Sequence, residues 1–299
     1  MPNQVPSHAG SQAIVVAFDP QKWGDVDRFA RLCSTTYKFD GRTATAVRGI
    51  AGHFHKVKLL EDMARSMTAS LAKDREELIS RGYSDNSNGA HLAAILETVF
   101  CELYSSVDCA RQVVRAIYVE KKFRGLPDST RKFFQYADEG QLDPRLPEPI
   151  RTAFCKAEWY HKLRIVRDAV THADVGSCHL VEKAGVPLYM NDSIPADQGK
   201  CFMIKDVFGQ IAIFKTAVNG FLVQIFHCLN ETLVQTEVFQ ICGFFDGRMY
   251  TRFVLPAEAV DFHSGRCQAL EWFDKEGNPR CPFADNCGAY KRAKEIQTA

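Results

Sequence analysis

Two long stretches of this chain carry apolar residues at helical spacing, and they constrain the fold more than any other feature. In residues 89–120, Leu92, Ile95, Leu96, Val99, Leu103 and Val107 follow the i, i+3, i+4, i+7 spacing of one buried helical face. Residues 204–234 do the same with Val207, Ile211, Phe214, Val218, Phe221, Leu222, Ile225 and Leu229. A long helix that is apolar on one side must bury that side against other elements, so the spacing predicts a mostly α protein built on a helical bundle. No uninterrupted apolar run reaches the roughly 18 residues of a membrane-spanning helix. The opening MPNQVPSHAGSQ lacks the basic-then-apolar order of a signal peptide. The expectation is a cytoplasmic protein with no membrane partner. A net charge of +1 excludes a strongly basic coat for nucleic acid but leaves room for a local basic patch.

The remaining elements follow from punctuation. The first dozen residues read as a loose tail and Ala13 to Phe18 as a short strand. Residues 23–36 and about 44–80 read as helical, the second ending near Arg81-Gly82. Tyr83 to Gly89 is turn-rich. Leu126-Pro127-Asp128-Ser129-Thr130 stops one helix and caps another over 129–138. After Pro144, Pro147 and Pro149, residues 149–173 read as one helix closed near Gly176. Residues 178–190 read as a small hairpin. Glu237–Cys242 and Met249–Leu255 flank a hairpin turn at Asp246-Gly247. The expected organisation is an N-terminal helical region over 1–87, a four-helix bundle with a small β-hairpin insertion over 88–236, and a hairpin with a cysteine-bearing tail over 237–299.

There are eleven cysteines. Cys33, Cys101, Cys109, Cys155, Cys228 and Cys242 sit singly in apolar stretches, where a free thiol packs as a small hydrophobe. The odd count and the lack of C-x-x-C argue against a disulfide framework and for a reducing compartment. The sequons at Asn191 and Asn230 then carry no meaning. In the tail, His263, Cys267, Cys281 and Cys287 offer four zinc ligands at irregular spacing. Structural zinc and unpaired thiols are both open for them. Cys178-His179, Cys201, and His53 with His55 are weaker sets, surface or core side chains by default. The chain has no G-x-x-x-x-G-K-[ST], no G-x-S-x-G, no H-E-x-x-H and no G-x-G-x-x-G after a strand. This argues against a P-loop NTPase, an α/β-hydrolase, a zincin and a Rossmann dehydrogenase.

The segment Arg151 to His172 holds the most informative polar residues. On a wheel at about 100° per residue with His161 at zero, Arg164 falls near −60°, Asp168 near −20° and His172 near +20°. Trp159, Leu163, Val166 and Val170 fall roughly opposite and form the inward stripe. Asp168 and His172 are an i, i+4 pair, in which the carboxylate can orient the imidazole. Arg167 lies on the flank, about 140° from His172, so one straight helix does not join them. A solvated charged face is the plain alternative for such a stripe.

Arg167-Asp168-Ala169-Val170-Thr171-His172 resembles the R-x(4–6)-H signature of HEPN domains, the higher eukaryote and prokaryote nucleotide-binding family. In that family the residue after the arginine is often polar. The segment Glu102 to Asp108 on the preceding long helix is also similar, and the resemblance spans about 88–236. It implies a HEPN-like four-helix bundle with N- and C-terminal additions. It also implies a metal-independent ribonuclease acting as a homodimer, in which the arginine and histidine of both chains line one cleft. His172 is then the proton-transfer group. Arg167 holds phosphate, and Asp168 sets the histidine tautomer. His161, Lys162 and Arg164 track the RNA backbone. Arg111, Arg115, Lys121, Lys122 and Arg124 extend that path or are solvated charge. RNA is required because DNA has no 2′-OH, and no cofactor is needed for catalysis. The resemblance further implies a role in phage or stress defence. Many similar proteins are non-catalytic binding or dimerisation modules, which is the alternative.

Overall fold

Helices dominate the computed structural model, which describes residues 24–172, 174–180, 185–194, 201–245, 248–256 and 262–298. The helices are α1 (Asp25–Leu32), α2 (Gly41–Met67), α3 (Leu71–Arg81), α4 (Ser87–Glu120), α5 (Thr130–Asp138), α6 (Glu148–Cys155), α7 (Trp159–His172), α8 (Val207–Glu231), α9 (Leu270–Phe273) and α10 (Gly288–Thr298). Strands β1 (Ser177–Leu180), β2 (Pro187–Asn191) and β3 (Phe202–Ile204) form one antiparallel sheet. Strands β4 (Val238–Phe245), β5 (Arg248–Val254) and β6 (Arg266–Cys267) form another. The loose tail and strand expected before Phe18 and the turn expected at Asp246-Gly247 lie outside the described residues.

The described chain forms two compact units, one over 39–225 and one from 24–38 with 226–298. This is not the division expected at 87/88, because α2 lies along α4. His53 Nδ1 of α2 donates to Glu102 Oε2 of α4 at 2.6 Å, and Lys56 Nζ donates to the same carboxylate at 3.4 Å. The turn-rich stretch before α4 is a connection within the unit. Asp74 of α3 accepts from the backbone N–H of Gly89 at 2.8 Å and from Asn88 Nδ2 at 2.5 Å. It thereby satisfies orphan donors and the positive end of α4.

Two helices expected to be continuous are broken. Residues 68–70 form a 3₁₀ turn between α2 and α3. The hydroxyls of Ser66, Thr68 and Ser70 donate to the carbonyls of Met63, Ala64 and Met67. Such bonds compete with the helical ladder. The span 149–173 divides at 156–158 into α6 and α7. On one straight helix Phe154 and Tyr160 are roughly 120° apart. Both are fully buried against Phe134, with ring centroids at 5.1 and 3.6 Å. Re-phasing the helix lets both face the same core.

In this unit Leu92, Leu96, Val99, Leu103 and Val107 of α4 are fully buried, as are Val207, Ile211 and Val218 of α8. By length and composition α8 is the one helix among the described residues apolar enough to cross a bilayer. Its apolar face is spent on this core. Lys215 on α8 donates to Glu61 of α2 at 2.6 Å, and Arg65 donates to the same carboxylate at 2.6 Å. Burial works against the Glu61 carboxylate, but these two cations outweigh it and hold the group below its usual range.

In the other unit Phe29 of α1 meets Phe226 edge-on at 5.3 Å, and Asn230 Nδ2 donates to the Asp25 carbonyl at 2.9 Å. The β4–β5 ladder slips between Ile241 and Gly243, leaving Cys242 as the extra residue of a bulge. A small core gathers Tyr250, Leu270, Phe273, Cys287 and Tyr290 with three alanines.

Candidate functional site

The polar face of α7 opens onto a cleft of about 680 Å³ lined by Arg164, Ile165, Asp168, Ala169, His172, Asp174 and Ser193. Tyr160, Leu163 and Val166 face the core beneath it. Tyr160 takes the fully buried place expected of Trp159, and Val170 is half-buried, so the stripe fades towards the C-terminus. Tyr160 stacks on Phe134, and its hydroxyl lies 3.3 Å from that of Tyr104 on α4. Burial, with the Tyr104 hydroxyl second, pushes the Tyr160 phenol up, so it remains a neutral O–H.

Asp168 joins the two arginines. Arg164 Nη1 donates to Asp168 Oδ2 at 2.9 Å, and Arg167 Nη1 donates to Oδ1 at 3.1 Å. The Arg167 guanidinium also rests over the Tyr104 ring, 4.7 Å from its centroid, a cation–π contact that fixes its plane. Burial pushes the nearby Cys101 thiol up even though Arg167 opposes it.

The far wall of the cleft is set by a residue that sequence reasoning did not single out. Glu97 of α4, 8% exposed, accepts from the Gly176 N–H at 2.8 Å, the Tyr189 hydroxyl at 2.7 Å and Asn191 Nδ2 at 3.4 Å. Asn191 Nδ2 also donates to the Asp174 carbonyl at 3.2 Å, and Asn191 Oδ1 accepts from Ser193 N–H at 2.9 Å. One buried carboxylate thus locates both Asp174 and Ser193. A Cβ at Gly176 would lie 2.5 Å from the Met190 carbonyl oxygen, so this approach needs glycine.

No protein-family model, curated protein or solved structure matches the chain.

Arg164, Asp168 and His172 share the cleft, as the wheel indicated, and Arg167 joins them through Asp168. The expected Asp168–His172 pair is not formed; each Asp168 oxygen accepts from an arginine instead. His172 is exposed at the end of α7, and no hydrogen bond to its ring occurs among the described residues. His161 points elsewhere and pairs with Asp138 of α5 at 2.8 Å. Lys162 is exposed and does not line the cleft. Arg111 is fully buried and bonded to Asp108 and Thr130, so it is structural and cannot track RNA. Arg115 donates to the Leu126 carbonyl at 3.1 Å.

Tyr104 was legible only as part of the segment Glu102 to Asp108. Glu97 had one signal, an acid on the apolar face of a helix, which demands a buried partner. In the tail, no group of three or more His, Cys, Asp or Glu side chains among the described residues is drawn close enough to hold a metal as placed. Cys267, Cys281 and Cys287 line one cavity, and His263 is not among its lining residues.

Proposed function

We propose that this chain is a metal-independent endoribonuclease that works as a homodimer, with the polar faces of two α7 helices lining one cleft. The observation that carries this reading is His172, exposed and unbonded among the described residues, on the rim of a cleft that also holds Arg164 and Asp168, with Arg167 bonded to Asp168. An imidazole without a fixed partner is free to take the proton of a ribose 2′-OH as that oxygen attacks the adjacent phosphorus. The P–O5′ bond breaks, the leaving oxygen takes up a proton, and a 2′,3′-cyclic phosphate remains. Arg167 receives the phosphate bidentately, with the phosphate taking the place of Asp168. A two-fold axis brings each Arg167 towards the other chain's His172, which one helix cannot do. It also covers Ile165, which is 43% exposed amid the polar residues.

A second reading has its own support. Asp168 already pairs with both arginines, which suits a non-catalytic module that binds RNA, nucleotide or protein without turnover. Cleavage of mixed RNA in EDTA separates the two. The catalytic reading expects cleavage, lost in His172→Ala and in Arg167→Ala with the fold intact. Mixing the two variants rebuilds one half-site by subunit exchange and restores part of the activity. Wild-type cleavage by folded His172→Ala protein, or full activity from a monomer, overturns it.

A further inference from the structure

The tail brings four cysteines from four separate segments to one place. Cys242 sits at the bulge of β4, Cys267 ends β6, Cys281 opens a run of tight turns, and Cys287 directly precedes α10. All four line a single cavity of about 40 Å³, walled by aromatic rings such as Tyr250, Phe283 and Tyr290. Chance rarely concentrates thiols in this way, since these four positions span more than forty residues of sequence.

Each segment holds its cysteine by a specific device. The bulge turns Cys242 out of the alternation of its strand. Arg252↔Cys267 is a paired position of the β5–β6 ladder. Ala284 N–H donates to the Cys281 carbonyl at 3.1 Å, and Cys287 N–H donates to the Phe283 carbonyl at 2.8 Å, so the turn between them folds both inward. The Cys287 carbonyl then accepts from Lys291 N–H at 3.1 Å as α10 begins.

The surroundings suit an anion. Arg252 is 1% exposed, and its Nη1 donates to the carbonyls of Phe262 and Ser264 at 2.9 and 2.8 Å. Its charge bears on the cavity. Four thiols lining one small cavity offer a divalent cation a full ligand set, and each thiol that ligates gives up its proton.

We propose that Cys242, Cys267, Cys281 and Cys287 bind a structural zinc ion through four thiolates, with Cys242 filling the place that the sequence offered to His263. The side chains as they stand do not yet close on one point, so binding would draw the four sulfurs together to the usual Zn–S distance of about 2.3 Å. The centre has a net charge of −2, and the buried Arg252 offsets part of it. The set leaves no position for water, so its role is to staple a region whose own core is small.

The test uses the full chain, expressed with zinc and purified under reducing conditions without chelator. Elemental analysis should give about one zinc per chain. Replacement by cobalt should give the intense visible bands of tetrahedral cobalt and a sulfur-to-cobalt charge-transfer intensity matching four thiolates. That wild-type spectrum counts ligands even where a variant fails to fold. Cys242→Ser should lose the metal or the four-thiolate spectrum, while His263→Ala and the exposed Cys155→Ser keep both. No metal in wild-type protein, before or after adding zinc to the reduced chain, overturns the proposal. So does a spectrum with three thiolates that changes in His263→Ala and not in Cys242→Ser.

Discussion

The unit over 39–225 and the tail over 238–298 solve the same problem with different means. The first packs large rings against each other: Phe133 and Phe154 at 4.5 Å, Phe134 and Tyr160 at 3.6 Å, Phe100 and Phe214 at 6.1 Å. It holds itself by apolar area. In the tail, three of the eight buried core residues are alanine, one is Cys287, and four cysteines line one small cavity. A region with so small a core is where the proposed zinc would contribute most. The difference teaches that a cysteine's meaning is set by its neighbourhood. Cys109, driven up to about 11 mainly by burial, is an ordinary core thiol. Cys267 is also partly buried but lines one cavity with three other cysteines.

The contrast can be broken most sharply with a strong chelator under reducing conditions. We expect the tail to lose its fold while the 39–225 unit keeps its helices. Single-tryptophan proteins report each region, with Trp272 for the tail and Trp159 for the helical unit. A Trp272 signal indifferent to the chelator would mean that the tail is held by packing like its neighbour. Next in size, Phe154→Ala should cost the helical unit about 3–5 kcal/mol in urea unfolding followed through Trp159. The chelator should not alter that figure. Glu97→Ala strands the Gly176 N–H and the Tyr189 hydroxyl, at a cost of about 2–3 kcal/mol. It should also abolish any RNA cleavage by releasing the wall that holds Asp174 and Ser193.

Smaller effects sharpen the comparison within the helical unit. Lys215→Met should cost about 1 kcal/mol at neutral pH, modest because Lys215 and Arg65 are themselves partly exposed. Glu61 is held below its usual range when folded, so its contribution is complete above the ordinary carboxylate range and fades as pH falls through the folded value. Unfolding curves of wild type and variant should therefore converge on acidification, and a constant gap would contradict the assignment. Asp74→Ala, which uncaps α4, should cost about 1 kcal/mol.

The long periodic helices were readable from sequence because their stripes run for several turns and no local feature competes. Their interruptions were not. The break at 68–70 depends on hydroxyls that bond their own backbone, and the break at 156–158 depends on which face of Tyr160 the core wants. The polar face of α7 was legible as a set, since Arg164, Asp168 and His172 do share a cleft. Pairing inside the set was not, because the wheel treats Arg164 and His172 as equal neighbours of Asp168. A guanidinium binds a carboxylate more firmly than a neutral imidazole does. Cys242 reads from sequence as core packing because its strand is apolar, and the bulge that sets it apart appears only in the pairing of β4 with β5.

One consequence follows from α4 carrying both Glu97 and Tyr104. They are seven residues apart, two turns of helix, so they face nearly the same way about 10 Å from each other. Glu97 fixes the wall of the cleft and Tyr104 seats Arg167. The spacing between the wall of the cleft and Arg167 is thus written into the pitch of one rod, as the spacing of marks is on a ruler. Changing side chains along the cleft alters its chemistry and leaves its gauge alone. Adding one alanine between the two marks turns them about 100° out of phase, so the wall and the arginine can no longer be seated together.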